Sequence, residues 1–112
     1  MGAVQPRVVR SHLAAQRLHR LQNIMLEKVI EAHLVARIKG KGGIAYKFTS
    51  PQRRSVPDRL VLLGGVVTFV ELKATGAKPT PLQEREHAFI RGLGFTVLVI
   101  DSKEEIDKRW PK

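Results

Sequence analysis

Asp58, Glu71 and Lys73 are the residues whose types and spacing could do chemistry, the latter two lying thirteen and fifteen positions after the first. They belong to the stretch Val-Pro-Asp-Arg-Leu-Val-Leu-Leu-Gly-Gly-Val-Val-Thr-Phe-Val-Glu-Leu-Lys, from Val56 to Lys73. A carboxylate pair can hold a hard divalent cation such as Mg²⁺ through oxygen, leaving other positions to water and phosphate. Such a cation polarises a scissile phosphate, lowers the pKa of a bound water and neutralises transition-state charge. An ammonium beside the pair stays cationic and can orient the nucleophile or meet charge developing on phosphorus. That is metal-assisted hydrolysis. A turn at Asp58-Arg59 followed by a solvent-facing Glu/Lys alternation would use the same residue types, so their placement in the fold decides.

Placement follows from the flanking runs. Leu60–Leu63 and Val66–Val70 surround Gly64-Gly65, and a Gly-Gly pair between β-rich runs signals a hairpin because both positions accept positive φ. The hairpin, over about 59–64 and 66–73, brings Asp58 at the start of one strand near Glu71 at the end of the other. Strand alternation then puts Glu71 and Lys73 on one face and Leu72 on the opposite face.

Elsewhere, 1–10 reads as irregular, with Gly2 and Pro6 breaking structure. Leu18, Leu21, Ile30, Leu34 and Ile38 recur at helical steps between Ser11 and Lys39. Gln22-Asn23 is a candidate break in that helix, with Asn23 capping a second one. Gly40, Gly42 and Gly43 end the helical pattern. Ile44–Phe48 reads as a strand and Thr49–Pro57 as a basic, proline-bounded loop. Thr80-Pro81-Leu82-Gln83 opens a helix reaching about Gly92, with Thr80 as N-cap and Gln83 closing a capping box. Phe95–Ile100 is a short apolar strand, and Ser102 with Glu105 caps a final helix near 103–109. The order is α-β-β-β-α-β-α, and a right-handed crossover makes the Glu71 and Phe95 strands parallel within a mixed sheet.

The whole is 112 residues with a hydrophobic fraction of 43%, which bounds it to one core. Cysteine is absent, excluding disulfides and thiolate metal sites and fitting a reducing compartment. No apolar run is long enough to cross a membrane, and no signal-peptide core opens the chain, so a soluble protein of the cytoplasm is expected. Twenty Lys/Arg against ten Asp/Glu leave a formal charge of +10, which draws the chain toward polyanions and toward nucleic acid above all. Arg7, Arg10, Arg17 and Arg20 occupy 1–23 with no acid among them. In 37–59, seven basic residues that include Lys41, Lys47, Arg53, Arg54 and Arg59 face only Asp58. Phosphate contact is expected from those five, although a solvated loop would present Arg53 and Arg54 in the same way.

Glu27 and Glu31 share a helical stripe with Ile30 and Leu34, where an acid is costly unless paired or bound to metal. Taken in order, Glu27-Lys28-Val29-Ile30-Glu31, Pro57-Asp58, Glu71-Leu72-Lys73 and Leu82-Gln83 resemble the PD-(D/E)XK nuclease superfamily. More narrowly they resemble its VRR-NUC branch, and the small stand-alone phage and prophage members in particular. The likeness covers about 25–103, with 1–23 as a basic arm and 24–112 as the nuclease domain. It implies a restriction-endonuclease-like mixed central sheet flanked by helices, and a Mg²⁺- or Mn²⁺-dependent endonuclease. Asp58, Glu71 and the Leu72 carbonyl would be metal ligands, joined by Glu27 or Glu31. Lys73 would be the catalytic lysine, and Gln83 would sit beside the active site. Stand-alone members look like archaeal junction resolvases, which implies a homodimer cutting Holliday junctions or other branched DNA in a bacterial or phage-infected cell. Ser55-Val56 departs from the family's Gly-Val before Pro-Asp, a change expected to alter the loop more than the chemistry.

Two other readings stay open. A linear-duplex nuclease of restriction or repair type would use the same residues. A basic DNA-binding module with a nuclease-like fold would have no need of the acid–acid–lysine set. His12, His19, His33 and His87 show no ligand spacing and read as surface or core histidines. Trp110 either packs back on the fold or serves a dimer contact.

Overall fold

Gly64 and Gly65 take φ of 60° and 77°, and this two-residue turn sets the register on which the site depends. It joins β2 (Arg59–Leu63) to β3 (Val66–Leu72), pairing Leu63 with Val66 and Arg59 with Val70. The structure, a computed structural model, describes residues 4–112, with side chains from Ser11 onward. Before the hairpin come α1 (Val4–Gly40) and β1 (Ile44–Lys47); after it come α2 (Pro81–Gly92), β4 (Thr96–Ile100) and α3 (Lys103–Arg109).

The strands form one mixed sheet in the order β1-β2-β3-β4. β1 and β3 run antiparallel to β2, while β4 runs parallel to β3, as a right-handed crossover through α2 requires. Ile30, Leu34 and Ile38 of α1 pack with Val61, Val70, Leu72, Ile100, Ile106 and Trp110 into the core. Each aliphatic side chain buried there contributes about 1.5–3 kcal/mol of transfer free energy. Phe69, Glu71 and Lys73 project from β3 away from that core, toward α2. Trp110 is thus a core residue, and its carbonyl accepts from Arg37 Nη1 at 2.7 Å.

Helix α1 differs from the sequence expectation. It is one helix of 37 residues, beginning at Val4 and passing through Gln22-Asn23 without a break. Pro6 is tolerated because it lies in the first turn, where the backbone N–H has no intrahelical partner to lose. The irregular segment expected over 1–10 is therefore helical from Val4, while 1–3 lie outside the described residues. Gln22 is a good helix former and Asn23 a weak one rather than a stop, and continuous intrahelical bonding overrides the latter. No described helix is long and apolar enough to cross a membrane.

At the end of α1, Gly43 is the point of closest approach. A Cβ there would lie 2.5 Å from the Leu62 carbonyl oxygen, 2.9 Å from Leu63 Cδ1 and 3.0 Å from Ile38 Cγ2. Backbone cannot yield as a flexible side chain does. Gly43→Ala is expected to lower unfolding free energy by about 1–3 kcal/mol, measured as a lower urea midpoint with unchanged slope.

Candidate active site

Asp58 enters the site through the sheet itself. Its backbone carbonyl accepts from Phe48 N–H at 2.9 Å, holding the residue beside the end of β1. Its side chain reaches across the hairpin, where Oδ2 accepts the Leu72 N–H at 2.8 Å. One carboxylate oxygen thus pins the last peptide of β3, and with it the two neighbours Glu71 and Lys73.

Glu71 is 2% exposed, and its Oε1 has no hydrogen-bond partner. Burial pushes its pKa up from the ordinary 4.5 to about 8; the Asp58 charge and a hydrogen bond shared with Asp58 push the same way. Lys73 opposes the shift and Glu27 adds to it. Lys73 Nζ stands 3.8 Å from Glu71 Oε2 and donates to Gln83 Oε1 at 2.8 Å. Carboxylate, carboxylate and ammonium therefore meet at one end of the sheet, as the hairpin reading expects.

α2 supplies the wall behind them. Thr80 and Gln83 close the expected capping box: Gln83 N–H donates to Thr80 Oγ1 at 3.2 Å and Thr80 N–H to Gln83 Oε1 at 2.9 Å. The same amide does a second job, its Nε2 donating to Glu71 Oε2 at 3.3 Å. One turn later on the same face lies His87, 1% exposed, with Nε2 at 3.5 Å from Glu71 Oε1. Burial, then the charges of Arg91 and Lys73, hold the imidazole below its ordinary pKa. Sequence reading had His87 only as a surface or core residue. Its four-residue spacing from Gln83 was the available signal, since both must point the same way from one helix.

The two helical glutamates separate. Glu31 Oε2 accepts from Arg59 Nε at 3.1 Å, and Arg59 Nη1 also donates to the Ala45 carbonyl at 3.0 Å. Glu27 lies within the field of Asp58, Lys73 and Glu31; its pKa is raised, by burial first and then by Asp58. Among the described residues, no three acidic or imidazole side chains converge tightly enough to hold an ion by themselves. A cation here would rest on Asp58 and Glu71, with Glu27 set further off.

The expected phosphate contacts divide as well. Arg53 is bound through Nε and Nη2 to Glu86, the latter at 2.6 Å, and its guanidinium stacks 4.4 Å from the centre of the Phe89 ring. Arg59 is committed to Glu31 and Ala45. Lys47 and Arg54 are exposed. Lys41 borders a separate concavity with His33 and Arg37, at the Gly40 end of α1.

No family model matches the sequence. A protein of Acyrthosiphon pisum secondary endosymbiont phage 1, named "Putative nuclease p44", is 56% identical over 82 residues, spanning 72% of this chain and 88% of its own length. A solved structure described as a VRR_NUC domain superposes with a TM-score of 0.70 at 36% identity, covering 74% of this chain and 91% of that one. The chain belongs to the VRR-NUC family.

Within this VRR-NUC domain, the loop before Asp58 keeps a trace of the sequence departure noted above. Ser55 has φ of 64°, the one positive value among the described non-glycine residues. A side chain there costs about 1–2 kcal/mol that glycine does not incur, partly offset by glycine's greater freedom when unfolded. Ser55→Gly is expected to raise stability by up to about 1 kcal/mol, and Ser55→Val to lower it, in the same urea titration.

A buried carboxylate beside a second carboxylate fits a divalent cation, because positive charge would offset both burial and repulsion. The Glu71 proton makes this testable without turnover. Unfolded, the group ionises near 4.5; folded, near 8. Between those values the folded state holds more protons, so its contribution to stability falls as pH rises. Glu71→Gln is expected to raise the melting temperature at pH 8 in chelator, by about 4–8 °C per kcal/mol recovered, and to flatten the decline above pH 5. Differential scanning fluorimetry across pH checks it; equal curves for both proteins would contradict the raised ionisation.

Proposed function

We propose that this chain is a Mg²⁺-dependent endonuclease, with Mn²⁺ as a substitute, that hydrolyses phosphodiester bonds in Holliday junctions or other branched DNA as a homodimer. The observation carrying this reading is the buried Glu71 carboxylate, its Oε1 unpartnered, beside Asp58 and 3.8 Å from the Lys73 ammonium. A DNA-binding module needs no such cluster. The nuclease name of the phage relative, at 56% identity, supports the same activity.

Asp58 and Glu71, with the Leu72 carbonyl, are the groups that would hold the metal, and Glu27 is the helical glutamate of the site in preference to the Arg59-bound Glu31. When bound, the cation supplies Lewis acidity toward phosphate and a more acidic water. Lys73 remains positioned to meet charge developing on the phosphate or to orient the attacking water. Gln83 holds that ammonium at 2.8 Å through Oε1 and holds Glu71 through Nε2, so one amide fixes the spacing between acid and base. His87 closes the rear of the site against solvent and faces the second oxygen of Glu71.

Branched DNA and the homodimer rest on family resemblance. A two-fold dimer would offer paired sites matching the symmetry of a four-way junction. The exposed stripe of Leu18, Leu21, Met25 and Val29 on the outer side of α1 supports a second copy, since it is apolar surface this chain leaves uncovered.

Purified protein is expected to nick four-way junction DNA with Mg²⁺ or Mn²⁺ and to stop in chelator. Asp58→Ala and Lys73→Ala should each lose about 10²–10³-fold or more in rate while retaining junction affinity. Full activity in both variants rejects the assignment; equal cutting of linear duplex and junction rejects the branched-DNA specificity alone.

A further inference from the structure

Among the described side chains of α1, those covered by the rest of the fold lie toward its C-terminal half. Ile30, Leu34 and Ile38 are buried, whereas every side chain from Ser11 to Gln22 is exposed. The molecule is accordingly 67 Å long but 31 by 22 Å across. The projecting half is not polar on all sides, as a merely solvated helix would be. Leu18, Leu21, Met25 and Val29 share its outer side, opposite the row that packs on the sheet. The packing row is marked by Ile30, Leu34 and Glu27. Followed outward in steps of three and four residues, it continues as Asn23, Arg20, Gln16 and His12. Asn23, like Glu27, is half-buried, as expected where that row leaves the fold.

We propose that this inward row of the projecting helix, with Arg17 on its flank, is a track for the DNA backbone leading to the Asp58–Glu71 pair. The proposal rests on the nuclease reading and adds where the substrate lies. Glu27 stands at the inner end of the row, in the field of Asp58. From there to His12 is fifteen residues, roughly 22 Å of helix, a length that spans about six base-pair steps of roughly 3.4 Å measured along a duplex axis. The first acid in the sequence is Glu27, so nothing along the row repels phosphate before the site itself. Among the described residues, Arg17 and Arg20 form no ion pair, whereas Arg53 and Arg59 of the central region are bound to Glu86 and Glu31. Cations already neutralised by carboxylates release fewer counterions on binding, which shifts the electrostatic role toward the helix. The Asn23 amide, and that of Gln16 through the hydrogen not shared with His12 Nε2 at 3.1 Å, add donors of the kind that position a backbone without reading its sequence.

The test uses full-length protein and fluorescently labelled junction and duplex DNA, with anisotropy read in chelator across a salt series. Arg17→Gln/Arg20→Gln is expected to weaken binding about tenfold or more near 0.1 M salt and to lower the log–log salt slope by about 1.8, from two lost phosphate contacts at 0.9 each. Circular dichroism should show undiminished helix, which separates lost contacts from lost structure. Lys103→Gln/Arg109→Gln on α3, equal in charge lost, is expected to leave both slope and affinity near wild type. If the Arg17/Arg20 variant keeps wild-type affinity and slope, or the α3 variant matches its loss, the track is overturned. Wild-type protein that binds with the expected slope but never cuts would sink the nuclease reading and leave the track standing.

Discussion

A carboxylate shut away from water at the end of a sheet is the constraint around which the rest of this structure is arranged. Glu71 is 2% exposed, and two further acids lie within its field. Burying an unpaired charge is expensive, and the cheapest response is to keep the proton, which the fold does up to about pH 8. Lys73 pulls the other way but stands 3.8 Å off with its ammonium also engaged by Gln83, so repulsion and desolvation prevail. The surroundings are correspondingly rigid. Asp58 is fastened to the Leu72 peptide, and Gln83 is held at both ends of its amide.

Structural and chemical roles overlap in single side chains here. Gln83 caps α2, positions Lys73 and steadies Glu71 with the two ends of one amide. Arg59 extends from the first residue of β2 to tie Glu31 of α1 to the Ala45 carbonyl of β1. That bridge clamps three elements and, in doing so, takes one of the two helical glutamates out of the carboxylate cluster. Economy of this kind suits a chain of 112 residues, whose core leaves little surface for separate functional and structural layers.

Local chemistry made much of this legible in the sequence. The Gly64-Gly65 turn, the Thr80 and Ser102 caps and the period-two strands rest on interactions within a few residues, and the observed bounds follow them closely. The meeting of Asp58, Glu71 and Lys73 followed from the hairpin alone. What escaped were pairings across long stretches of chain. Arg53 with Glu86 and Arg59 with Glu31 are separated by 33 and 28 residues, and no periodicity announces them. His87 looked ordinary because its meaning comes from the residue opposite, not from its neighbours in sequence. The unbroken α1 escaped for a different reason: Asn23 is as good a cap as a helix interior residue, and only the continuing backbone decides between the two.

That continuity has a mechanical corollary. Because α1 contains no hinge between its tip and the buried stretch Ile30, Leu34 and Ile38, it behaves as a rod clamped at one end. A sideways load near Arg17 cannot be absorbed locally and arrives as torque at the clamp, with Glu27 just outside the fulcrum. A ligand seated along the exposed stretch would therefore load the helix as a whole, with the buried Ile30, Leu34 and Ile38 as its anchorage.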